Sequence, residues 1–325
     1  MSDFTFLAGP GVKALYDMNL IRRFEQRLGR YSEEGLIRGS THPAVGMEAV
    51  AVGVSMALEP QDSIASNHRG HGHCLARGAD PARLLMEIFG RAGGYSRGKG
   101  GSMHVGIREL GILGTNGIVG AGIGLATGAA LAHRLRGTDG VAVAYFGDGA
   151  INQGVFHESL NLASIWKLPL VLVCENNRYA QSAALSDMVV DDRLERRAAP
   201  FGVPATTVDG MDVEAVHDAA RTATSRARKG LGPELIVAET YRFLGHMVGD
   251  TEIYRDEAEV EQWLKRDPLT ELSERLIAAM VLSRSQVRDI DTDAVNAVDA
   301  AERLAGLEPF PEAAEAVENV YEVTR

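Results

Sequence analysis

Two short segments carry residue types that can hold a metal ion against a phosphate. Gly147-Asp148-Gly149 offers a carboxylate, and Asn176-Asn177-Arg178-Tyr179 offers an amide carbonyl, with Asp148 and Asn177 standing 29 positions apart. Such oxygens are hard donors, and magnesium is usually held by one or two carboxylates plus substrate phosphates. A helix starting just after Gly149 turns unpaired N–H groups toward the same spot, which favours a phosphate. Gly-Asp-Gly alone is a common turn with an aspartate cap. The asparagine pair at a second strand end makes a magnesium–diphosphate site the better account.

Other chemistry-bearing residues leave more open. His42 precedes Pro43 and, on its own, reads as a residue at a helix start. His246 lies in a loop that also holds Gly245 and Gly249, a pattern that fits either a surface histidine or a mobile loop over a site. A zinc reading of His68, His71, His73 and Cys74 finds no tetrahedral ligand spacing. A dinucleotide site is disfavoured, because Thr127 stands where Gly122 and Gly124 would require a third glycine.

The elements needed to position these residues are visible as patterns. Val141–Phe146 and Leu170–Cys174 read as buried strands, with an amphipathic helix over 152–166 between them. Strand, helix and strand form a right-handed parallel βαβ unit, and ligands bind outside the carboxyl ends of such strands. Thirteen glycines fall between Gly93 and Gly128, interleaved with apolar residues and without a period. They predict loops in which backbone approaches something closely, followed by a tightly packed helix from about Gly122 to Arg136. Helices are also expected over 12–34, 44–57, 81–90 and 213–229, the last capped by Asp212. Leu235–Ala238 reads as another strand, 242–256 as irregular, and the chain from Asp256 onward as helical and acidic. The expectation is one α/β unit over 1–325, with helical extensions at about 1–40 and 256–325.

Composition sets the outer bounds. The chain has 325 residues, a net charge of −11 and 36 glycines, against a usual glycine share of about 7%. The acidic balance argues against a nucleic-acid binder. Cys74 and Cys174 cannot make a disulfide framework. No run approaches the roughly 18 apolar residues of a membrane helix. The start, Met1-Ser2-Asp3-Phe4, does not look like a signal or transit peptide. The expectation is a cytoplasmic protein with no nucleic-acid or membrane partner.

Gly147-Asp148-Gly149 followed by Asn176-Asn177 resembles the thiamine diphosphate signature. Arg97-Gly98-Lys99-Gly100-Gly101-Ser102-Met103-His104, Asn116-Gly117-Ile118-Val119-Gly120, Trp166-Lys167-Leu168-Pro169 and Cys174-Glu175-Asn176-Asn177-Arg178-Tyr179 resemble the α subunits of 2-oxo acid dehydrogenase first components. Ser66-Asn67-His68-Arg69-Gly70-His71-Gly72-His73-Cys74 and Phe156-His157-Glu158-Ser159-Leu160-Asn161 lean toward the acetoin dehydrogenase branch. The resemblance covers about residues 14–325 and implies a three-layer thiamine diphosphate-binding fold, a parallel sheet between helices.

It also implies roles. Asp148, Asn177 and the backbone carbonyl of Tyr179 would hold magnesium. Gly149 and Ala150 would present N–H groups to the diphosphate, and Arg69 would contact it. Gly117 and Val119 would meet the aminopyrimidine through their backbone, and His68 stands where many relatives carry a cofactor-contacting tyrosine. His42 and His246 would act beside the substrate, moving protons and stabilising charge. Met247 stands where mitochondrial relatives carry a phosphorylatable serine, and methionine has no hydroxyl to modify.

The implied reaction cleaves acetoin, or decarboxylates a 2-oxo acid such as pyruvate, and passes the acyl unit to a lipoyl-bearing acyltransferase core. The glutamate that activates the cofactor resides in a β subunit, so the resemblance implies two α and two β subunits. Alternatives are a branched-chain 2-oxo acid dehydrogenase α subunit, a stand-alone thiamine-dependent carboligase or decarboxylase, and a subunit without catalysis.

Overall fold

The computed structural model describes residues 5–318. The outermost parts of both expected helical extensions, 1–4 and 319–325, lie outside the described residues. The chain opens with a π-helical turn at Leu7–Gly11, followed by α1 (Val12–Glu33), α2 (Glu48–Met56), β1 (Ser63–Ala65), α3 (His71–Ala76), α4 (Pro81–Ile88) and β2 (Ile112–Gly114). Its middle runs through α5 (Ala121–Arg136), β3 (Ala142–Gly147), α6 (Gly154–Ile165) and β4 (Leu170–Asn176). A small hairpin, β5 (Tyr179–Ala180) and β6 (Ala183–Ala184), leads through α7 (Leu185–Met188) to β7 (Ala205–Asp209). The remainder is α8 (Val213–Arg228), β8 (Glu234–Glu239), α9 (Glu257–Leu264), α10 (Pro268–Ala278) and α11 (Arg284–Leu307).

Six strands form one sheet in the order β2-β1-β3-β4-β8-β7, every pair parallel. Alternation along the strands explains the three layers. Val143, Tyr145, Val171 and Val173 point into a core shared with α1, α2, α4, α8, α10 and α11. Their neighbours Ala144, Phe146, Leu172 and Cys174 point into a second core shared with α5 and α6. A strand buried on both faces must be apolar at every position, which is why β3 and β4 read as unbroken apolar runs.

Local chemistry sets several boundaries. Asp80 caps α4 by accepting from the N–H groups of Ala82 and Arg83, with Pro81 in the first turn. Asp212 caps α8 in the same manner, as its position predicts. The two helical ends join: the Tyr31 hydroxyl on α1 donates to Glu302 on α11 at 2.7 Å, and Arg27 reaches the same carboxylate at 2.7 Å. Among the described residues no helix is long and apolar enough to cross a membrane.

The structure corrects two expected helix starts: the helix expected just after Gly149 begins at Gly154, behind a 3₁₀ turn over Asp148–Asn152 and an extended Gln153. The stretch 44–57 is helical only from Glu48, because Gly46 has φ +98° and residues 44–47 form a turn. A Cβ at Gly46 would stand 2.5 Å from the Tyr241 carbonyl oxygen, so glycine there lets the His42 segment lie against the chain leading to His246. Strands β1, β2 and β7 and helix α3 were not anticipated. β1 and β2 have three residues each, and β7 is a partly exposed edge strand, so none shows an apolar run.

Candidate active site

Because the main strands run parallel, their carboxyl ends meet at one edge. Gly147 pairs with Glu175, and Glu175 with Ala238, so Asp148 and Asn177 emerge side by side. β1 leads into His68 and Arg69, β2 into Gly117 and Val119, and β8 into His246, while His42 arrives on the turn before α2. These residues, with Gly149, Ala150 and Tyr179, line one cavity of about 370 Å³. All eleven residues singled out from the sequence are therefore brought together.

Asp148 opens a 3₁₀ turn, and its Oδ2 is buried without a hydrogen-bond partner. Burial pushes its carboxyl up to about 6, against backbone N–H groups and the charge of Arg242, which pull it down. An unpartnered buried carboxylate oxygen is costly unless something cationic meets it. The Asn177 side-chain oxygen accepts from the Tyr179 N–H at 3.3 Å, a turn helped by the positive φ of Arg178. Asn176 and Arg178 clamp that turn to Glu239, each at 2.8 Å. A Cβ on Gly149 would stand 2.6 Å from that of Ala180, so glycine lets the Asp148 turn approach the β5–β6 hairpin. This hard-oxygen set fits magnesium.

Two buried guanidinium groups place positive charge at the cavity, Arg69 in its lining beside the carboxylates of Asp148 and Glu175, and Arg242 close enough to act on Asp148 and His42. Arg69 donates to the Pro43 carbonyl and, at 3.0 Å, to that of His246, so it ties the His42 and His246 segments together. Arg242 donates to the Gln181 carbonyl at 3.1 Å and keeps Nε and Nη1 buried without partners. That charge and the N–H groups at the 3₁₀ turn suit a diphosphate.

The histidines cluster. The rings of His42 and His68 lie 4.6 Å apart, those of His42 and His246 4.8 Å, and those of His68 and His246 5.4 Å. Burial, and then the charge of Arg69, lowers all three: His42 to about 3, His68 to about 2 and His246 to about 4. All three are neutral imidazoles at pH 7 in the free chain.

A supporting network lies behind these groups, and its pairings carry no local signature in the sequence. Glu175 accepts from the Asn67 amide at 3.1 Å and pairs with His73 at 3.1 Å. His73 also pairs with Ser66 at 2.7 Å and stacks on Tyr145 at 3.9 Å. Asn67 in turn accepts from the Arg69 N–H at 2.8 Å, which sets the conformation of the loop bearing His68 and Arg69. Glu175, immediately before the asparagine pair, is the only hint. His71 is bonded to Ser102 at 2.9 Å, and Cys74 is a buried free thiol.

Residues 16–314 match the family described as "Dehydrogenase E1 component". The chain is 42% identical over 302 residues to the α subunit of the acetoin:2,6-dichlorophenolindophenol oxidoreductase of Bacillus subtilis, covering 93% of this chain and 90% of that one. It is 43% identical over 305 residues to the protein of the same name from Cupriavidus necator, with 94% and 92% covered. It is also 41% identical over 305 residues to the pyruvate dehydrogenase E1 component subunit alpha of Rhizobium meliloti, with 94% and 88% covered.

Proposed function

The chain belongs to the dehydrogenase E1 component family, and from that premise we propose that it is the thiamine diphosphate-dependent α subunit of an enzyme that cleaves acetoin or decarboxylates a 2-oxo acid such as pyruvate. It acts with a β subunit in a complex with an acyltransferase core, and our reading gives the assembly two subunits of each kind and a lipoyl acceptor.

The observation that carries the site assignment is the buried, unpartnered Oδ2 of Asp148 beside Asn177 and Tyr179. In this reading Asp148, Asn177 and the Tyr179 carbonyl hold magnesium. Gly149, Ala150 and Arg69 receive the diphosphate, and Gly117 and Val119 meet the aminopyrimidine through their backbone. Thiamine diphosphate supplies the carbanion chemistry that breaks the bond beside a carbonyl. His42 and His246 begin neutral, so each can accept a proton at one ring nitrogen and donate a hydrogen bond from the other. His68 packs on both and fixes their spacing. The cavity volume lies near the lower end of the usual 300–1,000 Å³ range, as fits a site that a second subunit completes.

The β partner has a face to occupy. Ile118 and Val119 line the cavity and are 71% and 51% exposed, an apolar rim that suits a partner subunit. Reconstitution with the β subunit should give turnover with acetoin or pyruvate and acylation of a lipoyl domain, while the chain alone gives none. Robust turnover by the chain alone would overturn the shared-site reading.

A further inference from the structure

His42, His68 and His246 come from three separate segments, and each offers a ring nitrogen within 4.8 Å of the others. Nδ1 of His42 is buried without a hydrogen-bond partner. By contrast, His71 and His73 are held by Ser102, Ser66 and Glu175. Three neutral imidazoles facing a cavity are nitrogen donors, and imidazole suits zinc, copper and nickel, whereas carboxylate and carbonyl oxygens suit magnesium. Tetrahedral zinc with bonds of about 2.0–2.1 Å places its nitrogens roughly 3.4 Å apart, so side-chain rotations that draw the rings slightly inward complete the site.

We propose that His42, His68 and His246 form a three-imidazole site that captures one late first-row divalent cation such as Zn²⁺, separate from the oxygen site at Asp148, and that its occupation blocks the carbonyl substrate. The blocking half rests on the reading that His42 and His246 stand where the substrate reacts; the capture half does not. Dedicated zinc sites orient each histidine with an outer carboxylate or carbonyl. No outer carboxylate or carbonyl holds the rings of His42, His68 and His246 among the described residues, and Arg69 and Arg242 place positive charge nearby. The geometry therefore assigns reversible capture and inhibition rather than a resident ion.

The test uses the assembled α–β enzyme, with Co²⁺ as the spectroscopic probe and Zn²⁺ as the inhibitor. One equivalent of Co²⁺ per α chain should give the strong visible bands of a four-coordinate nitrogen site. His68→Phe and His68→Gln should each weaken Co²⁺ binding at least about 100-fold, since losing even an outer partner of a ligand costs 10–100-fold. Asp148→Asn should keep the bands while losing magnesium–thiamine diphosphate binding. In the wild type, Zn²⁺ should inhibit competitively with the carbonyl substrate. Absent bands, bands unchanged in both His68 variants, or bands lost in Asp148→Asn would overturn the capture site. Zn²⁺ inhibition of undiminished potency in the His68 variants would overturn the blocking claim. Failure of wild-type enzyme to bind magnesium–thiamine diphosphate while the cobalt bands persist would instead remove the functional reading and leave the capture site standing.

Discussion

Replacing Asp148 by asparagine should strengthen the fold and abolish the function. The carboxyl is 1% exposed and is held at about 6, against an ordinary value of 3.8. At 1.36 kcal/mol per pH unit, the ionised carboxylate weakens the free chain by on the order of 3 kcal/mol at neutral pH. The folded value lies above the unfolded one, so the folded chain binds the proton more tightly between about pH 4 and 6. That contribution favours folding at low pH and is lost as pH rises through about 6. Asp148→Asn keeps the side-chain shape without the charge. It should therefore gain up to about 3 kcal/mol at pH 7, and the gain should shrink toward zero near pH 4. Urea unfolding of both chains across this range, without metal or cofactor, measures the difference directly. Calorimetry should find no magnesium–thiamine diphosphate binding to the variant. A variant no more stable than wild type at pH 7, or a difference independent of pH, would refute the claim that Asp148 is a desolvated carboxylate awaiting a cation.

Three further outcomes follow from the packing. Glu48 accepts from Arg22 at 3.0 Å and from the Gly46 N–H at 3.1 Å, and Arg22 also reaches Asp267 at 2.9 Å. Glu48→Ala should cost about 3–5 kcal/mol, read as a lower denaturation midpoint at unchanged slope. Gly46→Ala combines a left-handed backbone with the near contact to Tyr241. It should cost more than about 2 kcal/mol and should raise the substrate KM in steady-state assays by displacing His42. Glu175→Gln removes the carboxylate that holds Asn67 and His73. It should weaken cofactor affinity about tenfold, equivalent to about 1.4 kcal/mol, and should speed amide exchange over 66–69; unchanged exchange there would count against the supporting network.

Much of this site was legible because its residues follow strand ends. The apolar runs ending at Phe146 and Cys174 mark adjacent parallel strands, and the polar residues directly after them fall at one edge by topology alone. His42 becomes legible only through family resemblance, and His246 nearly so, since it lies seven residues beyond the end of β8 rather than directly at a strand end. Strand β1, which places His68 and Arg69, is a three-residue strand whose burial comes from its neighbours rather than from its own composition. The Glu175–His73–Ser66 network depends on contacts between residues up to 108 positions apart, and no local pattern encodes such pairings. Arg69 was expected to face a diphosphate. In the structure it bonds two backbone carbonyls, a role that sequence spacing does not reveal.

The central claim is that Asp148, Asn177 and the Tyr179 carbonyl hold magnesium and, through it, the diphosphate of the cofactor. The most direct measurement is calorimetric titration of thiamine diphosphate into the assembled α–β enzyme, with and without magnesium, for wild type and Asn177→Ala. The account predicts saturable, magnesium-dependent binding for wild type and none for the variant, with circular dichroism unchanged. Equal affinity in the two proteins, or wild-type binding indifferent to magnesium, would contradict it.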